Sequence, residues 1–301
     1  MQPDETTPVL PPRRADGHKG TFGTVVVVGG QAQAPRVMLG GPAFSALGAL
    51  RAGAGLAVLA VPAPLLAHAL AVAPSATGLA LPVDEDGAIR ASAAAALLDR
   101  ALDRAQALVL GPGLGEGDAQ QTLVLRMLSL ESPPMVVDAD ALNAIAAAPI
   151  PQLDLRATAV LTPHPGEYQR LAAALGIAAD PIDPAARPEA ALLLAQRLGC
   201  VVVLKGAGTV VTDGQRTWVA RSGNAALATA GSGDVLSGVI AGMVSQFGRA
   251  PQRMGLFDCA CLGVHLHGLA ADRWAATKGN AGMLASDLLE AIPEVMASLR
   301  Q

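Results

Sequence analysis

Aromatic residues are nearly missing from this chain of 301 residues: Phe, Trp and Tyr make up 2% of it. A core resting on large rings is therefore excluded. Val, Leu, Ile and closely approaching Ala and Gly must fill it, and a hydrophobic fraction of 51% with mean hydropathy +0.41 is ample for that. Cysteine is equally scarce. Cys200, Cys259 and Cys261 are an odd number and exclude a disulfide framework. There are only three lysines and no basic run, and the net charge is −4 with a pI near 5.7. That balance argues against a nucleic-acid footprint and against a charged membrane surface. Long apolar spans are also lacking: the uncharged stretch 52–83 is broken by Pro62, Pro64, Pro74 and Pro82 into pieces too short to cross a bilayer. No charged head followed by an apolar core opens the chain, so a secretory signal is not expected and a cytoplasmic protein is.

What is present is an alternation of short apolar runs and helical patterns. Residues 1–17, rich in Pro and charge, read as a disordered tail ahead of a single catalytic domain over 18–301. Thr24–Val28 is a continuous β-branched run, suited to a strand buried on both faces. A helix is predicted over 37–52, then strands over 56–61 and 77–81, a helix over 91–105 and a strand over 107–110. Further strands are predicted over 135–138, 159–162 and 200–204, with helices from Asp118, after Asp140, after Glu167 and over 187–198. Thr209–Thr212 and Thr217–Ala220 read as a hairpin turned at Asp213-Gly214, and nearly everything after Asp234 as helix. Such an alternation implies an α/β fold, a three-layer sandwich with a mostly parallel central sheet. Ligands of such sheets bind beyond the carboxyl ends of the strands. Gly111-Pro112-Gly113-Leu114-Gly115, Asp138-Ala139-Asp140, His164-Pro165-Gly166-Glu167 and Lys205-Gly206 all fall there.

Two common phosphate motifs are missing. A dinucleotide fingerprint opening at Gly111 would need glycine where Glu116 stands, and no GxxxxGK[ST] occurs. The phosphate site must come from Ala230-Gly231-Ser232-Gly233-Asp234, which leads into an apolar helical pattern through Val235, Val239 and Met243. Free N–H groups at a helix start attract an anion, and an Asp there can act as a base. The alternative is that Asp234 only caps the helix. Asp138 and Asp140 carry the same two readings, as caps or as site residues. His265 and His267 lie two apart on a predicted helix, so they face different ways and do not make a metal pair; Cys259 and Cys261, at the same spacing, read as buried helix residues and His68 as structural.

Taken together, these stretches resemble the ribokinase-like superfamily and, within it, the ADP-dependent NAD(P)H-hydrate dehydratases. His18-Lys19-Gly20-Thr21-Phe22-Gly23, Gly40-Gly41-Pro42, Asp138-Ala139-Asp140-Ala141-Leu142-Asn143, Thr162 to Glu167 and Gly223-Asn224 carry the likeness with the motifs above. Sugar and vitamin kinases of that fold usually have Asn where this chain has His164. The resemblance implies repair of hydrated nicotinamide cofactor: a nucleotide, ADP with ATP as the second choice, phosphorylates the ring hydroxyl of the (S)-hydrate, and loss of phosphate restores the double bond.

It also implies roles. Asp234 is the catalytic base, and Gly231, Ser232 and Gly233 form an anion hole. Lys205, Gly206, Ala207, Gly208, Thr209 and Gly233 hold the nucleotide. Gly41, Gly113, His164 and Asp234 line the hydrated NADH or NADPH, and Glu167 meets Mg²⁺ through water. The expected assembly is a homotetramer, with no nucleic acid or membrane partner. No N-terminal epimerase domain is expected, because only 17 residues precede His18. One departure stands out: the family often has Tyr-x-Gly-Ala-Pro where this chain has Met38-Leu39-Gly40-Gly41-Pro42.

Overall fold

The computed structural model describes residues 7–149, 155–249 and 252–300. Nine strands form one sheet: β1 (Thr24–Val28), β2 (Leu56–Pro62), β3 (Thr77–Leu81), β4 (Ala107–Leu110), β5 (Met135–Val137), β6 (Ala159–Leu161), β7 (Val201–Leu204), β8 (Val210–Thr212) and β9 (Thr217–Val219). Their order is β3-β2-β1-β4-β5-β6-β7-β8-β9. The first seven run parallel, and the β8–β9 hairpin extends the sheet antiparallel to β7. The strands sit where the β-branched runs predict them, to within a residue or two. Alternation explains why the runs are unbroken: Val25 and Val27 enter the core on one face, Val26 and Val28 the core on the other.

Ten helices cover the two faces among the described residues: α1 (Gly40–Arg51), α2 (Leu66–Val72), α3 (Ala91–Leu102), α4 (Asp118–Leu128), α5 (Asp140–Ala147), α6 (Pro165–Leu175), α7 (Arg187–Leu198), α8 (Ser232–Phe247), α9 (Leu256–Lys278) and α10 (Ala285–Ser298). Helices α1, α2, α8, α9 and α10 supply one core, and α3 to α7 the other. Three helical expectations are corrected. α1 begins at Gly40 rather than at residue 37, because Met38 pairs with Gln31 in a β-bridge. α3 stops at Leu102 rather than residue 105. α2, inside the proline-broken stretch, has no counterpart in the prediction; the flanking prolines set its limits but hide a seven-residue helix. In the segment expected as a tail, residues 1–6 lie outside the described residues. Leu10, however, is buried, and the Arg13 guanidinium stacks on Phe22 and donates to Gly53 O and Gln246 Oε1 at 2.8 and 2.9 Å. No helix among the described residues is long and apolar enough to cross a membrane.

Small residues let α1 and α8 approach backbone to backbone. A methyl group at Gly238 would fall 2.0 Å from Ser45 O, and one at Gly48 2.6 Å from Val235 O. That contact places the start of α8 over the carboxyl ends of β1 and β4, where the strand order reverses and ligands of such sheets bind.

Candidate active site

Six loops converge at this edge. Gly231, in the left-handed region at φ +87°, turns the chain into α8, a conformation only glycine adopts without strain. Asp234 stands in the first turn of α8 and caps nothing, since no side chain caps this helix. Its backbone carbonyl accepts from Ser45 Oγ at 2.9 Å. Gly41, opening α1, lies against its carboxylate: a Cβ there would be 3.1 Å from Asp234 Oδ1 and 3.3 Å from the Pro112 backbone. Burial, then the negative charge of Asp138, raise the Asp234 carboxyl to about 7, against the pull of the Lys205 ammonium. A group with that pKa is poised to exchange a proton near neutral pH.

Lys205, at the end of β7, sits among carboxylates. Its Nζ is 2.7 Å from Asp138 Oδ1 and 3.7 Å from Glu167 Oε2, and lies close to Gly233. Burial alone would lower its pKa, but Asp138, Glu167 and Asp234 together hold it raised, so it stays a cation. Asp138 is buried and saturated. Beyond Lys205 it accepts from Ser237 Oγ and from Ala139 N, so the cap-or-site question at this residue resolves to an ion pair. Asp140 turns the other way and accepts from Gly115 N at 2.8 Å, tying the Gly111–Gly115 loop to α5. Between them Ala139 has φ 51°, unusual for a residue with a Cβ; this local strain aims two neighbouring carboxylates at different loops.

His164 has a job the sequence did not suggest. It is the N-cap of α6: its Nδ1 accepts from Gly166 N and Glu167 N at 3.0 and 3.3 Å, while Glu167 Oε2 accepts from His164 N at 2.8 Å. This is a capping box with histidine as the capping residue. The acceptor role of Nδ1 leaves the proton on Nε2, which lies 3.4 Å from Glu167 Oε1. Burial, then the charges of Lys205 and Arg170, lower the His164 pKa, so the ring is a neutral donor. An Asn would cap through Oδ1 in the same way, which explains how the kinases can carry Asn here. Glu167 itself is buried and turned toward His164 and Lys205, and burial raises its pKa.

Next to these residues a cavity of about 610 Å³ opens, lined by Lys205, Gly206, Ala207, Gly208 and Thr209 on one side, by Asn224, Leu227 and Gly233 on another, and by Val264 and His267 of α9. His164 is at its edge; Gly41, Gly113 and Asp234 do not line it. Gly113, at φ +59°, packs its Cα toward Met38 and Pro42.

Several residues that shape the site carried no sequence signal. The guanidinium of Arg187 donates to Pro181 O, Leu204 O and Lys205 O beneath the Lys205-Gly206 turn. His267 Nε2 donates to Ser232 O at 2.9 Å, and burial pulls its pKa down to about 4, so it stays neutral. Asp272 accepts from Gly223 N and Asn224 Nδ2. Apart from the bond to Pro181, six residues away, each of these contacts spans more than fifteen residues of sequence, beyond the reach of a local pattern. Among the described residues no group of three or more His, Cys, Asp or Glu is arranged to hold a metal.

Comparison with known proteins supplies the family. A family model described as NAD(P)H-hydrate dehydratase matches residues 25–294. The bifunctional NAD(P)H-hydrate repair enzyme of Moorella thermoacetica is 40% identical over 97% of this chain and 52% of its own length; the chain spans about half the length of the curated relatives it matches. The ADP/ATP-dependent NAD(P)H-hydrate dehydratase of Bacillus subtilis, co-crystallised with ATP and Mg²⁺, superposes with a TM-score of 0.76 at 29% identity, covering 97% of this chain and 95% of that one. A ribokinase-like superfamily protein of Enterococcus faecalis superposes equally well, TM-score 0.76 at 25% identity, covering 97% and 92%. With its ribokinase-like sheet and the Asp234 turn set against a lysine-bearing cavity, the chain belongs to the NAD(P)H-hydrate dehydratase family.

Proposed function

We propose that the chain catalyses the ADP-dependent dehydration of the (S)-hydrate of NADH or NADPH, giving NAD(P)H, AMP and phosphate. The observation that carries this is Asp234: a carboxylate raised to about 7, without a hydrogen-bond partner among the described residues, at the N-terminus of α8 and beside the open face of Gly41. Asp234 takes the proton of the ring hydroxyl as that oxygen attacks the terminal phosphorus of ADP, and AMP leaves. The N–H groups of Gly231, Ser232 and Gly233 and the Lys205 ammonium face the transferring oxygens. The C–O bond of the resulting ester then breaks, phosphate departs, and a proton lost from the adjacent ring carbon leaves its electron pair in the restored double bond.

The adenine nucleotide occupies the 610 Å³ cavity, its phosphates toward Lys205, Gly206, Ala207, Gly208, Thr209 and Gly233. The hydrated ring lies on the other side of Asp234, against Gly41 and Gly113, with the Nε2–H of His164 at the border. A resident metal centre does not fit these residues, but Mg²⁺ arriving with the nucleotide does. Glu167 lies 3.7 Å from Lys205, behind Asp138, and a water could bridge it to the ion, which would supply charge neutralisation on the phosphates. ATP is the second donor. We infer a cytoplasmic homotetramer from the family resemblance; Cys200, Cys259 and Cys261 are buried and not in disulfides, which suits a reducing compartment.

The test is the near-ultraviolet absorbance of reduced nicotinamide, followed with purified protein, chemically prepared NADH hydrate, Mg²⁺ and either ADP or ATP. A nucleotide-dependent rise, with free phosphate released and with both signals lost in Asp234→Asn, is the expected result. A phosphorylated product that accumulates without any rise would replace the dehydratase by a kinase.

A further inference from the structure

The reaction needs two ligands at once, and the 610 Å³ cavity is the size of one. The hydrated dinucleotide is the longer of the two. Its ring end is placed by Gly41, Gly113 and Asp234, none of which lines that cavity. A second cavity, of about 740 Å³, opens at the same edge of the sheet, between the Gly115–Gly117 loop, α4, α5 and α6. The two cavities are separated by the first turn of α6. His164 borders one and Arg170 the other, and the position of a Cβ at Gly166 is 3.0 Å from the His164 ring and 4.0 Å from Arg170 Nη1.

We propose that this second cavity is the subsite for the distal, adenosine-phosphate half of the hydrated dinucleotide. Arg170 contacts a phosphate there, and the Gln120 amide contacts the nucleoside. The inference rests on the dehydratase reading above and deepens it. Four observations carry it. Arg170 is the one cation among the described residues that line the cavity. Its Nε is held by Asn143 Oδ1 at 2.9 Å, which fixes the plane of the guanidinium and leaves the Nη groups free to fork onto an anion. Gln120 lines the cavity with most of its side chain covered, and its amide has no hydrogen-bond partner among the described residues; the amide opens on the cavity, where a ligand or water can meet it. Finally, Asp140 and Asn143 link the substrate loop to Arg170 in one chain of hydrogen bonds, Gly115 N to Asp140 to Asn143 to Arg170, so the two ends of a bound dinucleotide would meet a single connected frame. Glu116, Asp118 and Asp140 also line the cavity and repel phosphate; Asp140 is occupied by Gly115 N and Asn143, so Arg170 is the point where a phosphate can settle.

The experiment compares KM for the (S)-hydrates of NADPH and of reduced nicotinamide mononucleotide, which lacks the distal half, in wild type, Arg170→Gln and Gln120→Leu, with ADP and Mg²⁺ saturating. In wild type the mononucleotide should have the higher KM by about tenfold or more, the worth of a charge-assisted contact. That ratio should collapse toward one in Arg170→Gln and shrink in Gln120→Leu. Because the ratio is taken within one protein, a partly misfolded variant does not distort it, and the two variants lie on different helices. A wild-type ratio near one, or a ratio unchanged in both variants, overturns the subsite while leaving the dehydratase standing. No turnover of either hydrate by wild type overturns the dehydratase and the subsite with it.

Discussion

Replacing Asp234 by Asn should abolish turnover and, above neutral pH, make the protein more stable. The carboxyl titrates at about 7 in the fold, against roughly 3.9 for a free aspartate, and each unit of difference is worth about 1.4 kcal/mol. Because the folded-state value is the higher one, the folded protein binds the extra proton between pH 4 and 7, so stability drains away as pH rises through that window. Three units give a ceiling of about 4 kcal/mol at pH 8, and we expect about 2–4 kcal/mol because the carboxylate is partly exposed. Asn carries no such cost. Thermal unfolding of the two proteins from pH 4.5 to pH 8 therefore gives the assay: the melting temperatures should nearly coincide at the acid end and differ by about 4–10 °C at the alkaline end, with the variant above. Asp140 and Glu167, whose carboxyls burial also raises, are present in both proteins, so their own burial cancels in the difference and only their repulsion with Asp234 remains in it. A gap that does not change with pH, or a variant less stable at pH 8, would refute the claim that the Asp234 carboxyl is held in a destabilising site.

Three other perturbations separate packing from chemistry. His164→Ala removes the cap of α6 and should cost about 1 kcal/mol in chemical denaturation, whereas His164→Asn, which can cap through its own side-chain oxygen, should lose little stability while its KM for the hydrate rises. Lys205→Met leaves Asp138 buried with its ion pair gone and should cost about 3–5 kcal/mol; adding Asp138→Asn should recover much of that stability but none of the activity, which denaturation curves and turnover measured side by side would show. Gly238→Ala forces a methyl group against Ser45 O, so α1 and α8 must separate; about 3 kcal/mol or more should be lost, visible as a lower melting temperature, and turnover should fall because Ser45 anchors Asp234.

The sequence alone determined the strands, their largely parallel arrangement and the positions of the glycine-rich turn before α8 and of the four motifs that follow β4 to β7. These are local properties: β-branched runs, glycine at turns and helical spacing after Gly233 all act within a few residues. Asp234 was readable as a base or as a cap; the absence of any capping bond and the burial that raises its pKa count against the cap. Tertiary structure decided the rest. Only the packed sheet joins Asp138 to Lys205 and Ser237, separated by 67 and 99 residues, or sets His267 and Asp272 of α9 under two loops of the 610 Å³ cavity. His164 was legible as a site residue but not as a helix cap, because the capping pattern is known by Ser or Thr, and a ring nitrogen takes that place here. Gln120 and Arg170 read as ordinary helix positions; that one is buried without a partner and the other held in plane by Asn143 follows from where α4, α5 and α6 meet, which no local spacing encodes.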